Sequence, residues 1–144
     1  MASRFHQGKY TPKNPKKYIG KKLPMMRSSW ETHFARFLDT NPNILEWASE
    51  GIRIPYTNVM GKKTSYVPDF LIRYKDKNNK IVTEIIEIKP YNQSVLKEGM
   101  NAKLKATVVN NHLKWEAARR FCKAKKIEFR IVTENELFPK NNKR

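Results

Sequence analysis

The chain has 144 residues, with 30 Lys or Arg against 13 Asp or Glu, a formal net charge of +17 and a pI near 10.1. That length supports one domain around one hydrophobic core, and that charge points to a polyanionic partner, nucleic acid first and a basic structural role of ribosomal type second. The single cysteine, Cys122, excludes an internal disulfide and a cysteine-built zinc centre, and no apolar run reaches the length of a membrane span, so the expected compartment is the cytoplasm with no membrane partner.

Residues 1–27 hold eight basic residues and no acidic one. Pro12, Pro15 and Pro24 break any helix, and Gly8 and Gly20 loosen the backbone. This composition predicts an extended basic arm. Lys16, Lys17, Lys21, Lys22 and Arg27 are candidates for phosphate contacts, while Tyr10 and Tyr18 stack or anchor the arm to the body. A solvated tail is the alternative.

Ser28-Ser29-Trp30-Glu31 has the form of a capping box and predicts a helix running to about Asp39. Trp30, Phe34, Phe37 and Leu38 mark its buried face by helical spacing. Glu31 sits at the edge of that stripe, where it either caps the helix or points toward Asp69 and Glu87. Asn41-Pro42-Asn43 ends the helix. Residues 44–50 and 52–56 read as short strands hinged at Gly51, with Glu50 beside the hinge. Residues 57–63 form a turn.

Two longer strands follow, 64–74 and 81–89, joined by the polar turn Lys75-Asp76-Lys77-Asn78-Asn79-Lys80. If Tyr74 pairs with Ile81, Asp69 stands opposite Ile86 or, one step away, Glu87. Side chains alternate along a strand, so Ile86 and Ile88 share one face, and Glu87 and Lys89 share the other. Residues 90–100 form a loop containing Gln93. A long helix is expected over 102–125, its stripe marked by Val109, Leu113, Ala117 and Phe121 with Ala118 and Cys122 beside it. Lys114 is one of several basic residues decorating it. Phe129, Ile131 and Val132 form a last strand, and Thr133 with Glu136 caps a final turn. The predicted fold is α/β, a central mixed sheet flanked by helices.

Charges on apolar strands demand a physical reason, because an unpaired buried carboxylate is strongly disfavoured. Asp69 and Glu87 as cross-strand neighbours suit Mg²⁺, which takes one or two carboxylates and completes its octahedron with water and phosphate oxygens. The carbonyl of Ile88 adds a possible ligand. Lys89 on the same face can orient an attacking water or stabilise charge on phosphorus. Glu31, brought close, would hold a second ion or its waters. His33 neighbours Glu31 and is a weaker accessory candidate. No Ser/His/Asp arrangement, Gly-rich phosphate loop or zinc motif competes with this chemistry.

These residues resemble a known pattern. Pro68-Asp69 followed by Glu87-Ile88-Lys89 resembles the PD-(D/E)xK nuclease motif. In the same order stand Lys16-Lys17-Tyr18-Ile19-Gly20, Arg27-Ser28-Ser29-Trp30-Glu31, Trp47-Ala48-Ser49-Glu50, Ile54-Pro55-Tyr56, Glu87-Ile88-Lys89-Pro90 with Gln93, and Lys114-Trp115-Glu116-Ala117-Ala118 with Cys122. Together they are similar to the head completion nucleases of T4-like tailed phages, over about residues 8 to 138. The resemblance implies a restriction-endonuclease-like core at 28–138, a basic arm at 1–27 and a basic tail at 139–144. It implies Mg²⁺-dependent hydrolysis of DNA phosphodiesters, with Mn²⁺ substituting, one or two ions, and 5′-phosphate and 3′-hydroxyl ends. It assigns Asp69 and Glu87 to the metal, Lys89 to catalysis and Glu31 to the completed site, with Glu50 and Gln93 as weaker accessories. It further implies work on DNA ends at the portal of a filled head, in the host cytoplasm or with the virion, alongside portal or neck proteins. A DNA-binding head or neck protein without cleavage, and a transposon-end or junction-resolving nuclease, are the competing expectations.

Overall fold

Alternating apolar residues between 70 and 88 build the centre of the molecule. In the computed structural model, which describes residues 8–138, Phe70–Lys75 (β6) and Ile81–Ile88 (β7) form an antiparallel hairpin in which Phe70 pairs with Ile86 and Tyr74 with Val82. The register lies one residue from the Tyr74–Ile81 pairing and, continued, sets Asp69 against Glu87. The turn closes on Asp76, whose carboxylate accepts the N–H groups of Asn78 and Lys80, while Asn79 adopts φ 64°. Arg4, His6 and the tail 139–144 lie outside the described residues.

The elements before the hairpin are Gly8–Lys9 (β1), Met25–Met26 (β2), the helix Ser29–Thr40 (α1), and the strands Ile44–Ser49 (β3), Ile54–Thr57 (β4) and Lys63–Tyr66 (β5). After it come the helix Ala102–Lys125 (α2), the strand Glu128–Val132 (β8) and the short helix Glu134–Leu137 (α3). The central sheet has the order β3-β6-β7-β8. Its first two junctions are antiparallel and the last is parallel. A parallel junction needs a long crossover, which α2 supplies. β4 and β5 form a separate antiparallel pair, and α2 packs on β4 and β8.

Period-two alternation splits the sheet between two cores. Ile72, Ile86, Ile88 and Val132 join Phe34, Ala35 and Leu38 of α1 on one side. Phe129 and Ile131 face the other side, with Trp115, Ala117 and Ala118 of α2 and Ile54 and Tyr66 of the small hairpin.

Several expectations are corrected. The strand expected over 64–74 is two strands. β5 pairs with β4 and β6 pairs with β3 and β7, because Pro68 has no N–H to donate and the chain changes sheets at Val67–Asp69. The bend after β3 lies at Glu50, which adopts φ 52°, rather than at Gly51. On α1, Phe37 is 48% exposed and Trp30 half-buried, whereas Ala35 and Asp39 are buried. On α2 the buried residues are Val108, Asn111, Trp115, Ala117, Ala118 and Cys122, so of the expected series only Ala117 is buried, with Ala118 and Cys122 beside it, while Val109 is 37% exposed. Steps of four residues overshoot a 3.6-residue turn and walk around the helix, whereas alternating steps of three and four stay on one face. Cys122 is buried as expected, and Thr133 with Glu136 forms the expected capping box.

The basic arm is pinned to the body from residue 8 onward. The Asp39 carboxylate accepts the Tyr10 hydroxyl at 2.6 Å and the N–H groups of Lys13 and Asn14 at 2.7 and 3.0 Å. Tyr18 packs edge-on against the fully buried Trp47 at 4.7 Å. The Ile19 N–H donates to the Trp47 carbonyl at 2.9 Å, covering the exposed edge of β3.

Candidate active site

The break between β5 and β6 is what creates the site. Leaving β5 after Tyr66, the chain turns through Pro68 and delivers Asp69 at the mouth of β6, opposite the end of β7. The Ile88 N–H donates to Asp69 Oδ2 at 2.7 Å, and the Glu50 N–H donates to the Asp69 carbonyl at 2.9 Å. Both ends of the residue are thereby held. Glu87, 5% exposed, accepts the Tyr66 hydroxyl on Oε1 at 3.0 Å and meets Lys89 Nζ through Oε2 at 3.4 Å. Lys89 is anchored through its own N–H to the Val132 carbonyl at 3.0 Å.

Glu31 enters from the first turn of α1. Ser28 Oγ accepts the Glu31 N–H at 3.2 Å, so half of the expected capping box forms. The Glu31 carboxylate does not return to Ser28; Oε1 accepts the Arg27 N–H at 2.9 Å. The Arg27 guanidinium forks onto Glu50, with Nε–Oε2 at 2.7 Å and Nη2–Oε1 at 3.2 Å. Arg27 therefore ties Glu31 and Glu50 to one frame.

The electrostatics of this group follow from burial. Asp69 is held well above the usual carboxylate range, first by burial and then by the charges of Glu87 and Glu31; the Ile88 N–H and Lys89 oppose this. Burial also raises Glu87 against the opposing Lys89 and Tyr66. It raises Glu31, whose Arg27 N–H opposes while Glu50 and Glu87 add to the shift. The Tyr66 hydroxyl is pushed far up by burial and by Glu87, so it stays a proton donor to that carboxylate. Lys114, half-buried over the Tyr66 ring with Nζ 5.8 Å from its centroid, is lowered by burial and by the charge of Lys89.

One buried and two half-buried carboxylates of like charge, with a lysine in contact, suit the donor set of a hard divalent cation. Among the described residues no donor reaches Asp69 Oδ1, the oxygen left for such an ion. No group of three or more His, Cys, Asp or Glu side chains among the described residues is close enough to hold an ion unaided. Water and substrate oxygens must complete any coordination sphere, as an ion bound by one or two carboxylates requires.

One consequence concerns stability. A carboxylate whose folded pKa is raised contributes stability that is fully present below its unfolded value of about 4 and is lost as pH rises through the folded value. At neutral pH the metal-free protein carries that penalty at Asp69. Asp69→Asn keeps an acceptor for the Ile88 N–H and removes the charge. Thermal unfolding in chelator is expected to show a higher Tm for Asp69→Asn than for wild type at pH 7, with the difference closing by about pH 4. A lower Tm at pH 7 would show that buried charge is not what strains this site.

The remaining sequence candidates are placed as follows. His33 lies two residues from Glu31, on another side of the helix. Its ring lies tilted against that of Phe138, centroids 4.9 Å apart, and it lines a groove with Arg130 and Glu136. Gln93 sits in a 3-10 turn whose carbonyl accepts the Asn111 amide at 2.9 Å, so it bears on the loop that follows Lys89. Lys16, Lys21 and Lys22 are exposed. Lys17 is turned inward, its ammonium capping the C-terminal carbonyls of Asp39 and Asn41 at 3.1 and 2.8 Å. Sequence reasoning missed Tyr66 and the bridging part of Arg27. The only early signal for Tyr66 was its place on the expected strand 64–74, three residues before Asp69.

Residues 41–134 match the family described as TnsA-like endonuclease N terminal. The head completion nuclease of Enterobacteria phage T4 is 38% identical over 145 aligned positions, covering 92% of this chain and 93% of the relative.

Proposed function

Because the chain belongs to the TnsA-like endonuclease family of PD-(D/E)xK nucleases, and so is a DNA endonuclease with a restriction-endonuclease-like fold, we propose that it cuts DNA with Mg²⁺ at the Asp69–Glu87–Lys89 site. The observation that carries this reading is the placement of three charged groups at one sheet end. Asp69 is fixed by the Ile88 N–H, and Glu87 lies between the Tyr66 hydroxyl and the Lys89 ammonium.

Asp69 and Glu87 are the residues that would hold the ion, with Glu31 and the Ile88 carbonyl completing its surroundings. Such an ion supplies Lewis acidity at phosphorus and lowers the pKa of water. Lys89 then offers its ammonium to the phosphate oxygens, where negative charge grows in the transition state. Tyr66 keeps Glu87 turned toward the site, and Arg27 holds Glu31 and Glu50 in one frame. Cleavage leaves 5′-phosphate and 3′-hydroxyl ends. Residues 28–138 form the nuclease unit and residues 1–27 the gripping arm. The likeness to the T4 head completion nuclease supports head completion as the biological task; we further infer that the task is processing DNA at the portal of a filled phage head, in the host cell, alongside portal or neck proteins.

The direct test uses supercoiled plasmid with purified protein in Mg²⁺, Mn²⁺ or chelator. Nicking in both metals and none in chelator is expected; DNA binding without metal-dependent nicking would favour a structural head protein. Backbone contacts by the basic surface also make affinity fall steeply with salt, by about 0.9 in log–log slope per phosphate neutralised. Lys21→Ala and Lys22→Ala are each expected to reduce that slope by about 1. Lys17→Ala should leave the slope unchanged, because its ammonium is held by the end of α1. Fluorescence anisotropy titrations at several salt concentrations measure all three.

A further inference from the structure

Beside the active site runs a groove of about 530 Å³ between the Ile19–Met25 segment and the bend joining β3 to β4. It shares Glu50 with the site, and Glu50 is the partner of Arg27. Ile19, Leu23, Met25 and Leu71 supply its apolar wall, and Lys21 and Lys22 its rim. Ile19, Leu23 and Met25 are 45, 55 and 38% exposed, three large apolar side chains within seven residues. Gly20 shapes the segment, because a Cβ there would collide with the Tyr18 ring, whose hydroxyl donates to the Lys22 carbonyl at 2.7 Å. The groove is thus a built feature of the folded arm.

Its chemistry does not suit intact duplex. A double helix presents sugars and phosphates outward and keeps its bases stacked, so apolar side chains beside a cleavage site gain little from it. An unpaired base has a bare face that seeks apolar contact, while its phosphates seek lysine. A volume of this size lies within the range of small-ligand clefts. A second copy of the chain is disfavoured as the occupant, since the rim is cationic and each copy carries +17.

We propose that this groove is a subsite for an unpaired nucleotide, so that the enzyme favours DNA with a single-stranded end or flap beside the scissile phosphate. The proposal rests on the Asp69–Glu87 assignment for its meaning in catalysis, although its binding test does not need cleavage. The apolar wall takes the base, and Lys21 and Lys22 take the flanking phosphates. The enzyme then engages DNA at ends and discontinuities in preference to uninterrupted duplex.

The test is fluorescence anisotropy of the full chain in chelator, with labelled duplexes that are blunt, carry a short 3′ or 5′ overhang, or carry the same overhang with its bases removed. The expected result is about tenfold tighter binding of one overhang polarity than of the blunt duplex, with most of that gain lost in the abasic overhang. Ile19→Ser and Leu23→Ser, at exposed positions where folding is not at stake, should bring the overhang-to-blunt affinity ratio toward one. Equal affinity for blunt and overhang duplexes overturns the proposal. So does an abasic overhang that binds as tightly as a normal one, since the lysines alone would then explain the gain. Glu87-dependent plasmid nicking without an overhang preference removes the subsite and leaves the nuclease site standing. Overhang preference without nicking does the reverse.

Discussion

Glu87→Gln is expected to lower metal-dependent plasmid nicking by about 10²–10³-fold, a loss typical of removing one charge-stabilising group from a preorganised site. Glutamine has the size of glutamate, and its carbonyl can still accept the Tyr66 hydroxyl that now lies 3.0 Å from Oε1. What disappears is the negative charge that would hold the ion and that faces Lys89 Nζ at 3.4 Å. Binding of DNA in chelator should therefore be unchanged or slightly tighter, since one buried anion is gone from a surface that receives phosphate. Folding should also survive, because the residue is 5% exposed and its ionised form is already disfavoured there. Nicking rates, anisotropy and thermal unfolding on the same preparation separate these effects. Equal cutting by Glu87→Gln and wild type would show that the catalytic site lies elsewhere.

The largest expected stability effect is at Asp39, far from the chemistry. Its side chain is fully buried and accepts from three donors of the arm, Tyr10, Lys13 and Asn14. Hydrogen bonds to a charged acceptor contribute about 1.5–3 kcal/mol each at most, and they are not additive. Asp39→Ala also leaves the Tyr10 hydroxyl buried without its partner. A loss of about 3 kcal/mol is expected, which for a domain of this size lowers Tm by roughly 10 °C. The arm should also become more open to protease between Lys13 and Lys22. Burial alone would raise the Asp39 pKa, but the hydrogen bonds from Tyr10, Lys13 and Asn14 outweigh it and hold the group below the usual aspartate value. With the folded pKa depressed, this stabilisation is present above the unfolded value of about 4 and is lost as pH falls through the folded one. Wild type and Asp39→Ala should thus converge in Tm in acid and separate toward neutrality. A constant difference across pH would show that packing, not the charged latch, holds the arm.

Asp39 and Asp69 therefore pull in opposite directions. The first is stabilised in its ionised form by donors that fold around it. The second is strained in its ionised form by burial and by neighbouring carboxylates. Strain of this kind persists where function needs it and the surrounding structure supports it.

What the sequence determined by itself was the set of features written in short-range spacing. Apolar alternation over residues 81–88 put Glu87 and Lys89 in phase on one strand. The polar turn at 75–80 made a hairpin, and with it the nearness of Asp69 to Glu87, to within one residue of register. The helix at 102–125, the Thr133–Glu136 capping box and the burial of Cys122 were legible for the same reason, since each depends on residues a few positions apart. Only the tertiary structure decided which strand pairs with which. Pro68 marks a local break in the run 64–74, but only the fold decided that the two halves enter different sheets. It also decided which helix faces are buried, because a polar residue such as Asp39 or Asn111 is buried only when distant groups bond to it. Arg27 joining Glu31 to Glu50, Tyr66 seated on Glu87, and the groove beside Glu50 arise in the same way. The Arg27–Glu50 and Tyr66–Glu87 contacts span 23 and 21 positions in the chain, a distance over which spacing carries no information and folding alone makes the contact.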